Sequence, residues 1–406
     1  MKKIVLGKDG IITGSGALEY LTSISYKRVF IVTGGNSMIK TGVIDKAQTY
    51  LKQAGCEVTL YSGIKKNPTI EQVMDGLNQM RSIKPDAILA IGGGSAMDAA
   101  KAMLLFYDFP ELNFENVLEK NAKGQIPSKS KTALICVAST SGTGSEVTRG
   151  TVITDTKNKI KVPIMTDCLR PDIAILDGSI AMTMPQKIAA ETGMDALTHA
   201  IEAYTNHNLD DFDEVICKGA IEGIMANLEK SCKEPTVEIR QKIHNYQAMA
   251  GIGFANVGLG MVHGIAHSYG AIFDMSHGLT NAIILPYVIK YNGTMPSKYV
   301  SWPKYETYIA DERYQKIAKR LGLPANTKEE GVNSLVKAVQ ELNDRLGIPK
   351  SIKDCGIDEQ EFMSKLDELA DKAFSDQCTG VNPRVPLVEE IKQILIDSYY
   401  GNTIKM

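Results

Sequence analysis

The chain has 406 residues, 44% hydrophobic and 23% charged, a globular balance that excludes disordered and collagen-like chains. Lys+Arg 45 against Asp+Glu 47 leaves a net charge of -2, so nothing in the charge points to nucleic acid or an anionic membrane. Seven cysteines without a Cys-x-x-Cys pair argue against a secreted disulfide framework and for a reduced, cytoplasmic setting. Lys8 and Asp9 interrupt the first apolar run, so no signal peptide is expected. No uncharged apolar stretch reaches roughly 18 residues, so no membrane span is expected.

Short apolar runs at 28–33, 57–61, 86–91, 132–137 and 172–176 predict strands buried on both faces of a parallel sheet. Between them, 43–54 and 70–83 place apolar residues at three- and four-residue spacing, which predicts helices. Residues 121–131, with Pro127, read as a surface loop. This alternation predicts a doubly wound, Rossmann-like α/β dinucleotide-binding domain over 1–183. From 184 to 406 helical periodicities take over, at 185–204, 212–230, 237–256, 259–272, 312–321, 329–346, 359–374 and 388–399, and predict an all-α second domain. The segment 291–308 reads as a loop carrying the only tryptophan, Trp302, as a packing or surface aromatic.

Three glycine-bearing turns follow predicted strands. Gly92-Gly93-Gly94-Ser95 opens a predicted helix at 96–105, where small residues and free N–H groups suit a phosphate. It departs from the usual Gly-x-Gly-x-x-Gly pattern, and a plain tight turn explains it as well. Asp98 and Lys101 lie one turn further, where structural roles fit them. A second turn, Ser139-Thr140-Ser141-Gly142-Thr143-Gly144-Ser145-Glu146, offers hydroxyls and flexible backbone for a phosphate or ribose. The third, Gly34-Gly35-Asn36-Ser37, has no acidic residue before Asp45 to take the adenosine ribose hydroxyls of NAD. Ser37 and Lys40 suit a 2′-phosphate, which favours NADP over NAD.

The six histidines are 199, 207, 244, 263, 267 and 277. Asp195 and His199 are four apart on one predicted helix, as are His263 and His267 on another, and His277 follows after a break. One carboxylate and three imidazoles from this set form a first shell for Fe(II) or Zn(II). Asp195 sits among Met194, Ala196 and Leu197, where a charge is costly unless paired or coordinated. His207, in a polar turn, and His244 read as satisfied structural residues.

In order and spacing, these motifs resemble the iron-dependent, or group III, alcohol dehydrogenases. The resemblance rests on Gly92-Gly93-Gly94-Ser95 with Asp98 and Lys101, on Gly142-Thr143-Gly144-Ser145-Glu146, and on the run from Gly193 to Tyr204. It extends to His263-Gly264 with His267, His277-Gly278 with Asn281, and Asn382-Pro383-Arg384, covering nearly the whole chain. It implies a nucleotide-binding α/β domain followed by a helical metal-binding and catalytic domain, a dehydroquinate synthase-like architecture. It implies Asp195, His199, His263 and His277 as metal ligands, with His267 beside the metal but not a usual ligand; there the expected role of His267 is to relay the released proton to solvent. Gly34, Gly35, Ser37, Gly92, Gly93, Gly94, Ser95, Asp98, Thr140, Ser141, Thr143 and Ser145 would line the nucleotide, with Lys161 near its nicotinamide ribose. A homodimer or higher homo-oligomer is implied as well. NAD-preferring members commonly carry an aspartate in the turn that here reads Gly34-Gly35-Asn36-Ser37. Ala138-Ser139-Thr140-Ser141 replaces a Pro-Thr-Thr-Ala-like run.

The expected activity is hydride transfer between NAD(P) and a small primary alcohol, diol or aldehyde. Hydride leaves readily only from an alkoxide, and a divalent metal lowers the hydroxyl pKa toward neutrality. Two enzymes of the same architecture are alternatives. A glycerol-type polyol dehydrogenase usually has fewer histidine ligands. A cyclising lyase of the dehydroquinate-synthase kind needs a basic pocket, and Arg and Lys are sparse over 193–281. A non-enzymatic metal- or nucleotide-binding protein would leave the combination of cofactor loops and metal shell unexplained.

Overall fold

The computed structural model describes residues 3–158, 160–296 and 308–405, so Trp302 lies outside the described residues. The chain divides into two compact units, Met1–Pro185 with Pro235–Ile252, and Gln186–Glu234 with Gly253–Met406. The helix Val237–Val257 therefore begins in one unit and ends in the other.

The first unit is built on β1 (Gly10–Thr13), β2 (Arg28–Gly34), β3 (Glu57–Ile64), β4 (Ala87–Gly92), β5 (Ala133–Ala138) and β8 (Ile173–Leu176). They form one parallel sheet in the order β1-β8-β5-β4-β2-β3. Helices connect them, among them Val43–Gln53, Ile70–Ile83 and Gly94–Asp108. β4 and β8 are buried at every position, and β5 and β2 at nearly every one, which is why they read as continuous apolar runs. The chain steps from β2 outward to β3, then returns to the other side of β2 for β4. The change of direction falls between β2 and β4, at whose carboxyl ends such sheets bind ligands. Thr69 begins the helix before β4 with a capping box, its hydroxyl accepting from the Gln72 N–H.

Two features of this unit escape the sequence reading. β1 is a four-residue edge strand, too short for a pattern. β6 (Gly150–Asp155) and β7 (Ile160–Met165) form an antiparallel hairpin in which Pro163 pairs with Val152. Proline is tolerated there because a two-stranded ribbon leaves an edge without a ladder bond to donate.

The second unit is helical: Gln186–Thr205, Asp211–Lys233, Met261–Phe273, His277–Asn292, Ala310–Arg320, Lys328–Leu346, Glu359–Ser375 and Val388–Tyr400. The helix His277–Asn292 was not anticipated. It holds Pro286 and is buried on almost every side, so it shows no apolar stripe against a polar face. Among the described residues no single helix is long and apolar enough to cross a membrane.

Candidate functional site

In the second unit, Asp195, His199 and Glu202 lie on one face of the helix Gln186–Thr205, at the four- and three-residue steps of an α-helix. His263 stands in the first turn of the helix Met261–Phe273, and His277 opens the helix His277–Asn292. Gly278 makes the last approach possible, because a Cβ there would sit 2.4 Å from the Glu191 carbonyl oxygen.

One ligand atom each from Asp195, His199, His263 and His277 lies within 4.8 Å of the others. The three imidazole Nε2 atoms stand 3.8, 3.7 and 3.6 Å from the same Asp195 Oδ1. Donors roughly 2.0–2.2 Å from a tetrahedral metal stand about 3.3–3.6 Å apart, so this spacing accommodates a divalent ion. Asp195, His199 and His263 are buried, and His277 is half-exposed. Burial alone would raise the Asp195 carboxyl, but the charges of His199, His277 and His263 hold it well below the usual range. Three imidazoles and one carboxylate, without a thiolate, suit Fe(II) or Zn(II).

Two further residues shape this cluster. Glu202 Oε2 accepts from His263 Nδ1 at 2.5 Å, so the His263 Nε2 faces Asp195. The Asn281 amide nitrogen lies 2.7 Å from Asp195 Oδ1, 3.2 Å from His263 Nε2 and 3.3 Å from His277 Nε2. Both residues occur inside the quoted motifs, but a carboxyl or amide on an apolar helix face carries no signal of what it touches. His267 does not join the four. Its ring stacks on His277 with centroids 5.4 Å apart, it is 42% exposed, and its Nδ1 donates to Asp376 Oδ2 at 2.9 Å.

In the first unit the three glycine-bearing turns sit at the carboxyl ends of neighbouring strands β2, β4 and β5. Gly34 ends β2, Gly35 adopts φ +47°, and Ser37 and Lys40 are exposed in the short helix Ser37–Lys40. Gly92 ends β4, Gly93 caps the helix Gly94–Asp108, and Ser95 lies in its first turn. A Cβ at Gly93 would come 3.1 Å from Thr140 Oγ1, and one at Gly94 3.0 Å from Thr143 Cγ2. The turns after β4 and β5 therefore touch, and glycine is what allows it. A helix N-terminus flanked by such turns at the change of direction is fitted to a pyrophosphate.

Several residues around these turns make internal hydrogen bonds. The Asp98 carboxylate accepts from Ser145 Oγ at 3.3 Å and from the Val152 N–H at 3.2 Å. Lys101 is fully buried and donates to Ser145 O, Thr148 O and Gly150 O at 2.7, 2.9 and 3.0 Å. Both hold the turn after β5 and the hairpin in place. Lys161, on β7, donates to Thr154 Oγ1 at 2.8 Å. Ser141 Oγ bonds the fully buried His244 Nδ1 at 2.8 Å. The Gly144 N–H donates to Gln247 Oε1 at 3.0 Å, and Gln247 Nε2 donates to Glu146. Burial pushes the His244 imidazole down to about 4, so it is neutral near pH 7. Gln247 is a clamp the sequence reading did not anticipate; its 244/247/251 spacing with His244 and Gly251 is an ordinary helix face.

Residues 9–178 match the family model for iron-containing alcohol dehydrogenase, and residues 189–399 match the C-terminal model of the Fe-containing alcohol dehydrogenase family. The chain is 43% identical over 404 residues to an NADPH-dependent butanol dehydrogenase of Clostridium saccharobutylicum, covering 100% of both. It is 45% identical over 395 residues to an aldehyde-alcohol dehydrogenase of Streptococcus pneumoniae, covering 95% of this chain but only 44% of that protein. The chain thus spans about half the length of some curated relatives. The solved structure of an iron containing alcohol dehydrogenase from Thermococcus thioreducens superposes with TM-score 0.88 at 36% identity, over 99% of this chain and 100% of the other. The chain belongs to the iron-containing alcohol dehydrogenase family.

Proposed function

We propose that this protein interconverts short primary alcohols or diols and their aldehydes by hydride transfer with NADPH or NADH. In this reading Asp195, His199, His263 and His277 hold Fe(II), with Zn(II) as its competitor. The observation that carries it is the spacing of three imidazole nitrogens around one buried carboxylate oxygen, 3.6–3.8 Å. When bound, the metal supplies Lewis-acid stabilisation of negative charge on the alcohol oxygen, and the nicotinamide gives or takes the hydride.

The chain's own residues do the rest. Gly34, Gly35 and Ser37 take the adenosine ribose, and Gly92, Gly93, Gly94 and Ser95 take the pyrophosphate. Thr140, Ser141, Thr143 and Ser145 shape the adjoining turn, with Asp98 bracing it from inside. Lys161 serves the nicotinamide ribose. His267, held through Nδ1 by Asp376, exchanges the reaction's proton with solvent at Nε2. The absence of a carboxylate in the turn after β2, and the NADPH-dependent relative, support NADPH as the preferred cofactor. Nucleotide binding belongs to residues 1–183 and metal binding to 184–406. The enzyme works as a homo-oligomer in the cytoplasm, where its seven free cysteines stay reduced. The relatives' names do not favour the lyase alternative.

The test is an anaerobic assay of Fe(II)-reconstituted protein with NADPH and NADH against short linear aldehydes and diols. NADPH-dependent reduction of unbranched aldehydes is expected. Oxidation of neither cofactor with any of them would overturn the reading.

A further inference from the structure

We propose that Glu202 is a positioning residue for the metal: its carboxylate fixes His263 in the tautomer that carries the proton on Nδ1 and the lone pair on Nε2. The inference rests on the reading of Asp195, His199, His263 and His277 as the metal site. Glu202 is buried, and its two oxygens divide their work. Oε2 accepts from His263 Nδ1 at 2.5 Å, and Oε1 accepts from the Val262 N–H at 2.6 Å. The backbone is built to admit this carboxylate. Gly260 caps the helix Met261–Phe273, and a Cβ there would sit 2.8 Å from Glu202 Oε1. A buried carboxylate at a helix N-terminus is also favoured by the helix dipole, so it stays in place when the imidazole changes partners.

The other face of the ring agrees. The Asn281 amide nitrogen lies 3.2 Å from His263 Nε2, and its two hydrogens are shared with Asp195 Oδ1 at 2.7 Å and His277 Nε2 at 3.3 Å, so the contact suits a lone pair on that nitrogen without fixing it. Glu202 is what selects the tautomer, with the Nε2 lone pair directed at Asp195. An imidazole ligand whose second nitrogen donates to a carboxylate is held in orientation and is a stronger base. Glu202 and Asp195 together also bring two negative charges to the cluster, matching a divalent cation.

Capping the helix is a separate task, and Asn382 makes the two separable. Its Oδ1 accepts the neighbouring Met261 N–H at 3.0 Å and makes no hydrogen bond to His263. The experiment measures Zn(II) affinity of metal-stripped protein against a chromophoric chelator, together with thermal stability of the stripped form. Glu202→Gln keeps the shape but offers one acceptor where two are used, and Zn(II) binding should weaken about 10–100-fold. Asn382→Ala should lower the melting temperature and leave the Zn(II) dissociation constant within about twofold of wild type. Wild-type affinity in Glu202→Gln, or equal weakening in Asn382→Ala, would overturn the inference while leaving the metal site standing. A wild-type protein that binds no Zn(II) would overturn the metal site itself. Should Glu202→Gln fail to fold, the ¹⁵N imidazole signals of Zn(II)-loaded wild type decide. The proposal requires a protonated Nδ1 and a ligated Nε2 at His263, and the reverse assignment would overturn it.

Discussion

Gly251→Ala tests whether the turn after β5 serves the cofactor. Gly251 lies on the face of the helix Val237–Val257 that meets this turn. A methyl group there would sit 2.8 Å from Val147 Cγ2, 3.0 Å from Gly144 Cα and 3.3 Å from Gly144 O. Carbon atoms rest at about 3.5–4.0 Å, so the turn must retreat by roughly 0.5–1 Å. Gly144 cannot absorb this freely: it holds φ +61°, and its N–H is anchored on Gln247 one turn earlier in the same helix. Overpacking of this kind costs about 1–3 kcal/mol. A displacement near 1 Å in a substrate-positioning element costs on the order of 10²-fold in rate, so kcat/KM with NADPH should fall toward that scale. Metal content should not change, since the proposed ligands lie on three other helices. The assays are chemical denaturation, NADPH fluorescence titration, steady-state kinetics and metal analysis. A folded variant with reduced stability but wild-type NADPH affinity and kcat/KM would refute the role given to the turn. Unchanged stability would refute the packing argument.

Other perturbations address separate parts of the account. Gly34→Asp adds a Cβ in ordinary contact, 3.4 Å from the Ile64 carbonyl oxygen. Its charge should repel a 2′-phosphate by on the order of 1–3 kcal/mol, shifting the NADPH/NADH ratio of kcat/KM at least several-fold toward NADH; an unchanged ratio contradicts the reading of that turn. His244 is depressed to about 4 in the fold against an ordinary 6.5. The unfolded chain therefore binds the proton first as pH falls, so stability is complete above 6.5 and drains away between 6.5 and about 4, by up to about 3 kcal/mol. His244→Gln should flatten that part of the stability profile, and parallel profiles for the two proteins would show that His244 contributes nothing to it. His267→Ala should keep its metal and lose on the order of 10²-fold or more in kcat, and wild-type kcat would leave His267 a packing residue.

The sheet was legible because its central strands are buried on both faces and cannot hide their apolar runs; β4 has no exposed position. Most helices were legible from their stripes. What escaped had a local physical reason: β1 is four residues at an edge, and the helix His277–Asn292 is buried nearly all round and contains a proline. At the metal cluster, Asp195 and His199 showed their common face through spacing alone. His263 and His267 have the same spacing, yet only His263 comes within ligand distance of the others, while His267 turns to Asp376. Spacing along one helix cannot tell which of two neighbours meets a side chain from another. The same limit hid Glu202 and Asn281, whose partners lie 61 and 86 residues away in the chain. Among the nucleotide turns, the glycines were readable as close-approach points and Asp98 and Lys101 as structural residues, whereas the partners of those two depended on the hairpin the sequence did not reveal.

The most direct test of the central claim is metal stoichiometry set against turnover, in wild type and in His263→Ala and His277→Ala, after anaerobic stripping and stepwise return of Fe(II). Wild-type aldehyde reduction should rise in proportion to bound metal and saturate at one ion per chain, and both variants should bind far less metal and stay inactive. Full metal occupancy with normal turnover in both variants, or undiminished turnover of the metal-stripped wild type, would contradict it.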